Sequence, residues 1–249
     1  MMRGLLALVL GAWVALPAAA DPCESVAFDG ADFTVCRIDV ARDDLRLFRA
    51  DADGNPYGSF RALDRALAQR GERLGVAMNG GMYHPDRAPV GLYVEDHVEG
   101  AGIVTREGPG NFGLLPNGVF CVQQGRAAVI ESRAFAADPP DCAYATQSGP
   151  MLVLGGALHP RFLEDGTSLY RRNGVGVSAD GSTVYLAISD EPVNFHHFAR
   201  LFRDALDVPD ALFLDGNISR LYSRGDGRHD GGWPMGPILG TVEPLDGAG

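Results

Sequence analysis

The residues best suited to chemistry gather in four short polar loops, each following or flanking an apolar stretch. In one, Leu212-Phe213-Leu214 leads into Asp215-Gly216-Asn217-Ile218-Ser219. The apolar residues bury a strand, and the Asp215 carboxylate emerges at its end beside a flexible glycine. A carboxylate placed there serves as base, nucleophile or metal ligand; its bland role is to form a turn. A second loop, Arg171-Arg172-Asn173-Gly174-Val175-Gly176-Val177, sets an arginine pair at the start of a glycine-interrupted strand. Such a cation is normally just solvated. A planar guanidinium nevertheless binds phosphate or carboxylate in two-pronged fashion, which makes this the best oxyanion-binding candidate in the chain.

The third loop, Asn79-Gly80-Gly81-Met82-Tyr83, follows the apolar run Leu74–Met78. Its glycines let backbone approach a ligand closely, and successive amides there form an anion nest. Asn-Gly is equally a tight-turn dipeptide. The fourth, Gln147-Ser148-Gly149-Pro150, precedes Met151-Leu152-Val153 and lacks the G-x-S-x-G elbow of a serine nucleophile. It reads as a turn entering a buried strand, with Ser148 at most a hydrogen-bond donor to substrate or phosphate. Metal chemistry has weaker support. His196 and His197 point to different faces if helical, and no H-E-x-x-H occurs. No cofactor is required by the sequence, and a divalent metal stays open. His84 and His229 are secondary acid/base candidates.

Two helices and many strands must hold these loops. Ser59 caps a helix carrying Phe60, Leu63 and Leu67, which Gly71 ends. A second starts after Asn194, carries Phe195, Phe198, Leu201, Phe202 and Ala205 on one face, and stops by Pro209. Strands are expected at Phe33–Ile38, Leu45–Phe48, Leu74–Met78, Val90–Val94, Val119–Val122, Ala127–Ile130, Val175–Ser178, Val184–Ile188 and Leu212–Leu214. Many strands without regular βαβ alternation imply an α+β fold: one domain with a large mixed or antiparallel sheet and a few packed helices.

The chain start reads as a secretory signal peptide over residues 1–20. Arg3 supplies the positive region, Leu5 to Leu16 the apolar stretch, and Ala18-Ala19-Ala20 the small residues before cleavage at Asp21. Residues 21–249, about 229 in all, then form the mature domain, with no span of about 18 apolar residues. A periplasmic or secreted location follows. Cys23, Cys36, Cys121 and Cys142 permit three pairings; the sequence-local set, Cys23–Cys36 and Cys121–Cys142, is favoured. The 21 basic residues are all arginine, which rules out a Walker lysine or a Schiff base. Asp and Glu outnumber Lys and Arg 32 to 21, an acidic balance that argues against non-specific nucleic-acid binding.

Taken in order, these loops resemble the phosphodiester glycosidase family named for the lysosomal uncovering enzyme. That family carries an Asn-Gly/Ala-Gly loop, a Gly-Pro-x-Leu-Val strand, an Arg-x-x-x-Gly strand and a Leu-Asp-Gly loop closing with Ser. The matching positions are Asn79–Tyr83, Gly149–Val153, Arg172–Gly176 and Leu214–Ser219. Gly110-Asn111-Phe112, Val193–Phe202 and Ala211–Tyr222 add likeness to a small exported bacterial branch. Asn217-Ile218 stands where the uncovering-enzyme branch is glycine-rich, so its substrate is not carried over. The resemblance implies an α+β fold, a sugar-phosphate or carbohydrate substrate, and hydrolysis of a sugar from a phosphodiester. It implies a site built from Asn79, Arg172, Asp215 and their glycine neighbours Gly80, Gly81 and Gly216. Tyr83, Ser148, Gly149, Asn173, Asn217 and Ser219 are its expected substrate contacts. Glycoside hydrolysis usually needs two carboxylates; Asp190 and Glu191, after the strand Val184–Ile188, are candidates for the second. The rival reading is a non-catalytic glycan or cell-envelope binding protein on the same fold.

Overall fold

The computed structural model describes residues 22–245, so the signal peptide expected over residues 1–20 lies outside the described residues. The chain folds as a single α+β domain in which every strand pair among the described residues is antiparallel. The largest sheet has seven strands in the spatial order Cys23–Phe28, Ala31–Asp39, Thr183–Ser189, Asn173–Val177, Asp210–Asp215, Met151–Leu154 and Ala157–Leu158. A five-stranded sheet runs Arg228–His229, Leu221–Ser223, Glu72–Asn79, Ile238–Pro244 and Asp44–Phe48. A second runs Val98–Ala101, Tyr93–Glu95, Tyr144–Ser148, Gly118–Gln123 and Arg126–Glu131.

All three sheets contribute to one central core. Ile38, Val175, Leu186 and Leu214 come from the large sheet, Leu47, Met78 and Leu239 from the second, and Phe120 and Val122 from the third. Strands covered on both faces read as continuous apolar runs, as in Ala211-Leu212-Phe213-Leu214, all fully buried. The helices cover outer faces. Phe60, Leu63 and Leu67 of helix Phe60–Ala68 pack with Leu74, Ala77 and Ile238. Helix Phe195–Arg200 continues as a π-helical turn, Leu201–Ala205, and lays Phe198 and Phe202 over Phe33, Val35 and Phe213. Gly176 makes this approach possible: a Cβ there would lie 2.7 Å from Phe202 Cδ1.

Both expected caps form. Ser59 Oγ accepts from the Ala62 amide at 3.2 Å, and Asn194 Oδ1 accepts from the His197 amide at 2.8 Å. Each expected strand has an observed counterpart, though Val90–Val94 is extended only from Tyr93. Unforeseen elements include Cys23–Phe28, Tyr144–Ser148, Leu221–Ser223, Ile238–Pro244 and the short helix Ser132–Ala137. The disulfides are the sequence-local pair. Cys23–Cys36 joins directly opposed residues of neighbouring strands, and Cys121–Cys142 closes a separation of 21 residues.

Candidate functional site

The strand Asp210–Asp215 runs buried through Leu214 and releases Asp215 at its end. Around that end opens a cleft of about 680 Å³ whose walls include Tyr83, His84, Arg87, Asn111, Ser168, Tyr170, Arg172 and Asp215 through Ile218. Asp215 Oδ1 accepts from the Asn217 amide at 2.7 Å and the Ile218 amide at 3.3 Å. The loop is further pinned by Ser219 Oγ, whose single proton is shared between Asp215 O at 2.8 Å and Arg171 O at 2.9 Å. Burial raises the Asp215 carboxyl above its ordinary range, against the lowering pull of those backbone amides.

Arg172 is only 1% exposed, unusual for the longest cationic side chain. Its Nε donates to Val193 O at 2.9 Å and one Nη2 to Ser168 O at 2.8 Å. Its guanidinium lies 3.6 Å from the centroid of the Phe195 ring. Phe195 stacks on Phe162 at 5.0 Å and Phe162 on His159 at 4.8 Å, so a column of flat groups supports the cation. Among the described residues no carboxylate pairs with it, and burial lowers its pKa to about 10. It therefore remains charged at neutral pH. A Cβ on Gly216 would lie 3.7 Å from Arg172 Nη1, which puts the unbonded edge of the fork beside the Asp215 loop.

Several expected contacts sit behind the cleft rather than in its wall. Asn79 and Asn173 are both fully buried and hydrogen-bonded to each other. Ser148 is buried with its Oγ donating to Leu214 O at 3.0 Å. Gly149 lies close against Asn117, where a Cβ would come within 2.6 Å of its Cβ. The Gly80 amide donates to Pro237 O at 2.7 Å, and the Gly80 carbonyl accepts from Thr146 Oγ1 at 2.7 Å. Gly81 has φ of +137°, and a Cβ there would lie 2.8 Å from Thr146 Oγ1. Asp190 pairs with Arg228 at 2.9 Å and accepts from Thr34 Oγ1 at 2.8 Å, outside the cleft wall. Glu191 is exposed and likewise absent from the wall. His84 lines the cleft, whereas His229 packs against Phe60 and Tyr222.

Sequence reasoning did not single out Arg87, Ser168, Tyr170 or the supporting role of Phe195. Tyr170 carried one signal, an exposed-prone aromatic immediately before the arginine pair. Arg87 reaches the cleft by lying over the Tyr83 ring at 5.2 Å, a tertiary relation with no pattern in the sequence.

A buried arginine with no carboxylate partner among the described residues and a carboxyl raised above its ordinary range thus line one cleft. The sequence pattern of the phosphodiester glycosidase family matches residues 72–239, and the chain belongs to that family of hydrolases. YigE of Escherichia coli strain K12, an uncharacterised protein, is 35% identical over 181 residues, covering 73% of this chain and 70% of YigE. The catalytic domain of zebrafish N-acetylglucosamine-1-phosphodiester alpha-N-acetylglucosaminidase, auto-inhibited by its pro-peptide, shares the fold. The TM-score is 0.58 at 14% identity, over 88% of this chain and 81% of that one. A hypothetical protein from Synechocystis superposes with a TM-score of 0.55 at 15% identity, over 88% of this chain and 61% of that one. Among the described residues no helix is long and apolar enough to cross a membrane.

Proposed function

We propose that the protein is an exported bacterial hydrolase that releases a sugar from a phosphodiester, with Asp215 as base or nucleophile and Arg172 holding the phosphate. The observation that carries this reading is that a buried Arg172 and a half-buried Asp215 line one cleft, with no ion pair to either among the described residues. Removing a charge from water without pairing it costs stability, and Arg172 is 1% exposed with no carboxylate partner among the described residues. A substrate phosphate beside Arg172 and a sugar beside Asp215 would make use of both.

In the base form of the mechanism, the free carboxylate oxygen of Asp215 takes a proton from water. The water oxygen then bonds to the anomeric carbon as the bond to the phosphate oxygen breaks. The electron pair leaves on the phosphate monoester, whose added charge Arg172 stabilises. A phosphate leaving group needs little protonation, so one carboxylate suffices, in keeping with Asp215 as the only carboxylate in the cleft wall among the described residues. Asn79 and Asn173 act from behind by holding the loop, and Gly216, Asn217 and Tyr83 offer contacts within the wall. Turnover of a sugar phosphodiester by purified protein, lost on Asp215→Asn, tests the reading. Binding without turnover would return the protein to the glycan-binding alternative.

A further inference from the structure

Arg220 is a second arginine withdrawn from water. It is 6% exposed, and its backbone amide donates to Asn79 Oδ1 at 3.0 Å. Among the described residues its guanidinium donates no hydrogen bond and joins no ion pair. Asp230, a carboxylate whose charge reaches it, is already committed: Oδ2 accepts from the Leu221 amide and Arg228 Nη2, and Oδ1 from Arg228 Nε. Gly232, with φ of +138°, roofs the guanidinium; a Cβ there would lie 2.4 Å from Nη2 and 3.0 Å from Cζ. Glycine thus lets backbone lie against the cation where a side chain would strike it. The neighbouring Tyr83 forms a wall of the cleft, and its hydroxyl donates to Pro234 O at 2.9 Å, holding the roof segment in place. Burial lowers the Arg220 pKa, with Tyr83 and Asp230 opposing.

Among the described residues His159 Nε2 is the side-chain nitrogen or oxygen that is both sealed from solvent and without a partner, so the unbonded donors of the largely buried Arg220 still reach solvent and stay open to an anion. Arg172 likewise has no carboxylate partner among the described residues, yet a phosphodiester carries one negative charge. We propose that Arg220, under its Gly232 roof and beside Tyr83, is a second anion-binding position, and that the substrate bears an oxyanion besides the scissile phosphodiester. That group is a phosphate or a carboxylate on the sugar or on the alcohol. The proposal rests on the reading of the adjacent cleft as a phosphodiester glycosidase site.

The chain carries its own reporter. Of its two tryptophans, Trp233 directly follows the Gly232 roof and is 79% exposed, and the other is Trp13. In the full chain carrying Trp13→Phe, Trp233 emission is titrated with inorganic phosphate and, separately, with glucuronate. A saturable change with either anion is expected, and the anion that responds names the group. The response persists in Arg172→Gln and Asp215→Asn, and weakens about tenfold or more in Arg220→Gln, the scale of one charged hydrogen bond. Arg220→Lys keeps the charge and lacks the fork, and it weakens binding too if the glutamine variant does not fold. No saturable response to either anion overturns the proposal. So does a response lost in Arg172→Gln but retained in the Arg220 variants. Turnover without an anion response sinks this inference alone, whereas an anion response without turnover sinks the hydrolase reading and leaves the second site.

Discussion

Asn79 and Asn173 hydrogen-bond to each other in both directions, Asn79 Nδ2 to Asn173 Oδ1 at 3.1 Å and Asn173 Nδ2 to Asn79 Oδ1 at 3.0 Å. The pair ties a strand end of one five-stranded sheet to the first residue of a strand in the seven-stranded sheet. The same oxygens accept the amides of Asp215 at 3.1 Å and Arg220 at 3.0 Å. One buried amide pair therefore positions the backbone of both Asp215 and Arg220.

Asn173→Ala orphans the Asp215 amide and an Asn79 donor in a dry interior. Each unsatisfied buried group costs about 1–3 kcal/mol, so urea unfolding should show a loss of at least that size. A double-mutant cycle with Asn79→Ala should give a coupling of about 1 kcal/mol or more, since the two residues share partners. Additive losses would mean the pair does not act as a unit.

Arg172→Lys replaces a planar fork with a point charge. It cannot keep both the Val193 and Ser168 carbonyl bonds and the stack on Phe195 while also gripping a phosphate. A loss of about tenfold or more in kcat/KM is expected, the scale of one charged hydrogen bond. Near-normal kinetics would relegate Arg172 to a structural role.

The pH profile should carry both groups. A general base acts only when deprotonated, so activity should fall in acid with a midpoint above the ordinary carboxylate range, where burial places Asp215. Activity should fall again as Arg172 loses its proton near its pKa of about 10. For stability, the folded state holds the Asp215 proton at pH values where the unfolded chain has released it. Stability from this group therefore declines as pH rises through that window. Asp215→Asn should then melt no lower than wild type at neutral pH, and its advantage should shrink as the pH falls below the window. An acid limb at the ordinary carboxylate value would show that burial does not tune the residue.

The Cys121–Cys142 bridge closes a separation of 21 residues between a central strand and the segment leading into Tyr144–Ser148. Removing it with a paired Cys→Ala variant should cost about 3 kcal/mol in the loop-entropy account. Equilibrium unfolding measures the loss, and mass spectrometry under non-reducing conditions checks the two pairings.

What the sequence made legible was local. Ser59 and Asn194 announced their helices because a cap is a neighbour relation, satisfied within three residues. Asp215 stood out because an apolar run must end somewhere, and a carboxylate at that end meets the surface. The direction of side chains was not legible. Asn79 and Asp190 both follow apolar strands as Asp215 does, yet Asn79 turns inward to Asn173 and Asp190 turns to Arg228. The division into three sheets was also hidden, since it depends on pairings such as Glu72–Asn79 with Ile238–Pro244, far apart in the chain. Leu221–Ser223 escaped notice because its Tyr and flanking arginines interrupt any apolar alternation.

The most direct measurement of the central claim is hydrolysis of a sugar phosphodiester by wild type and Asp215→Asn at the same fraction folded. Asparagine preserves shape and accepts the Asn217 and Ile218 amides, but it has no basicity and no charge. Loss of a general base costs about a hundredfold or more, so kcat should drop by at least that factor while the melting temperature holds or rises slightly. Turnover by the variant within a few-fold of wild type, or a loss that merely tracks unfolding, would contradict Asp215 as the residue that performs the chemistry.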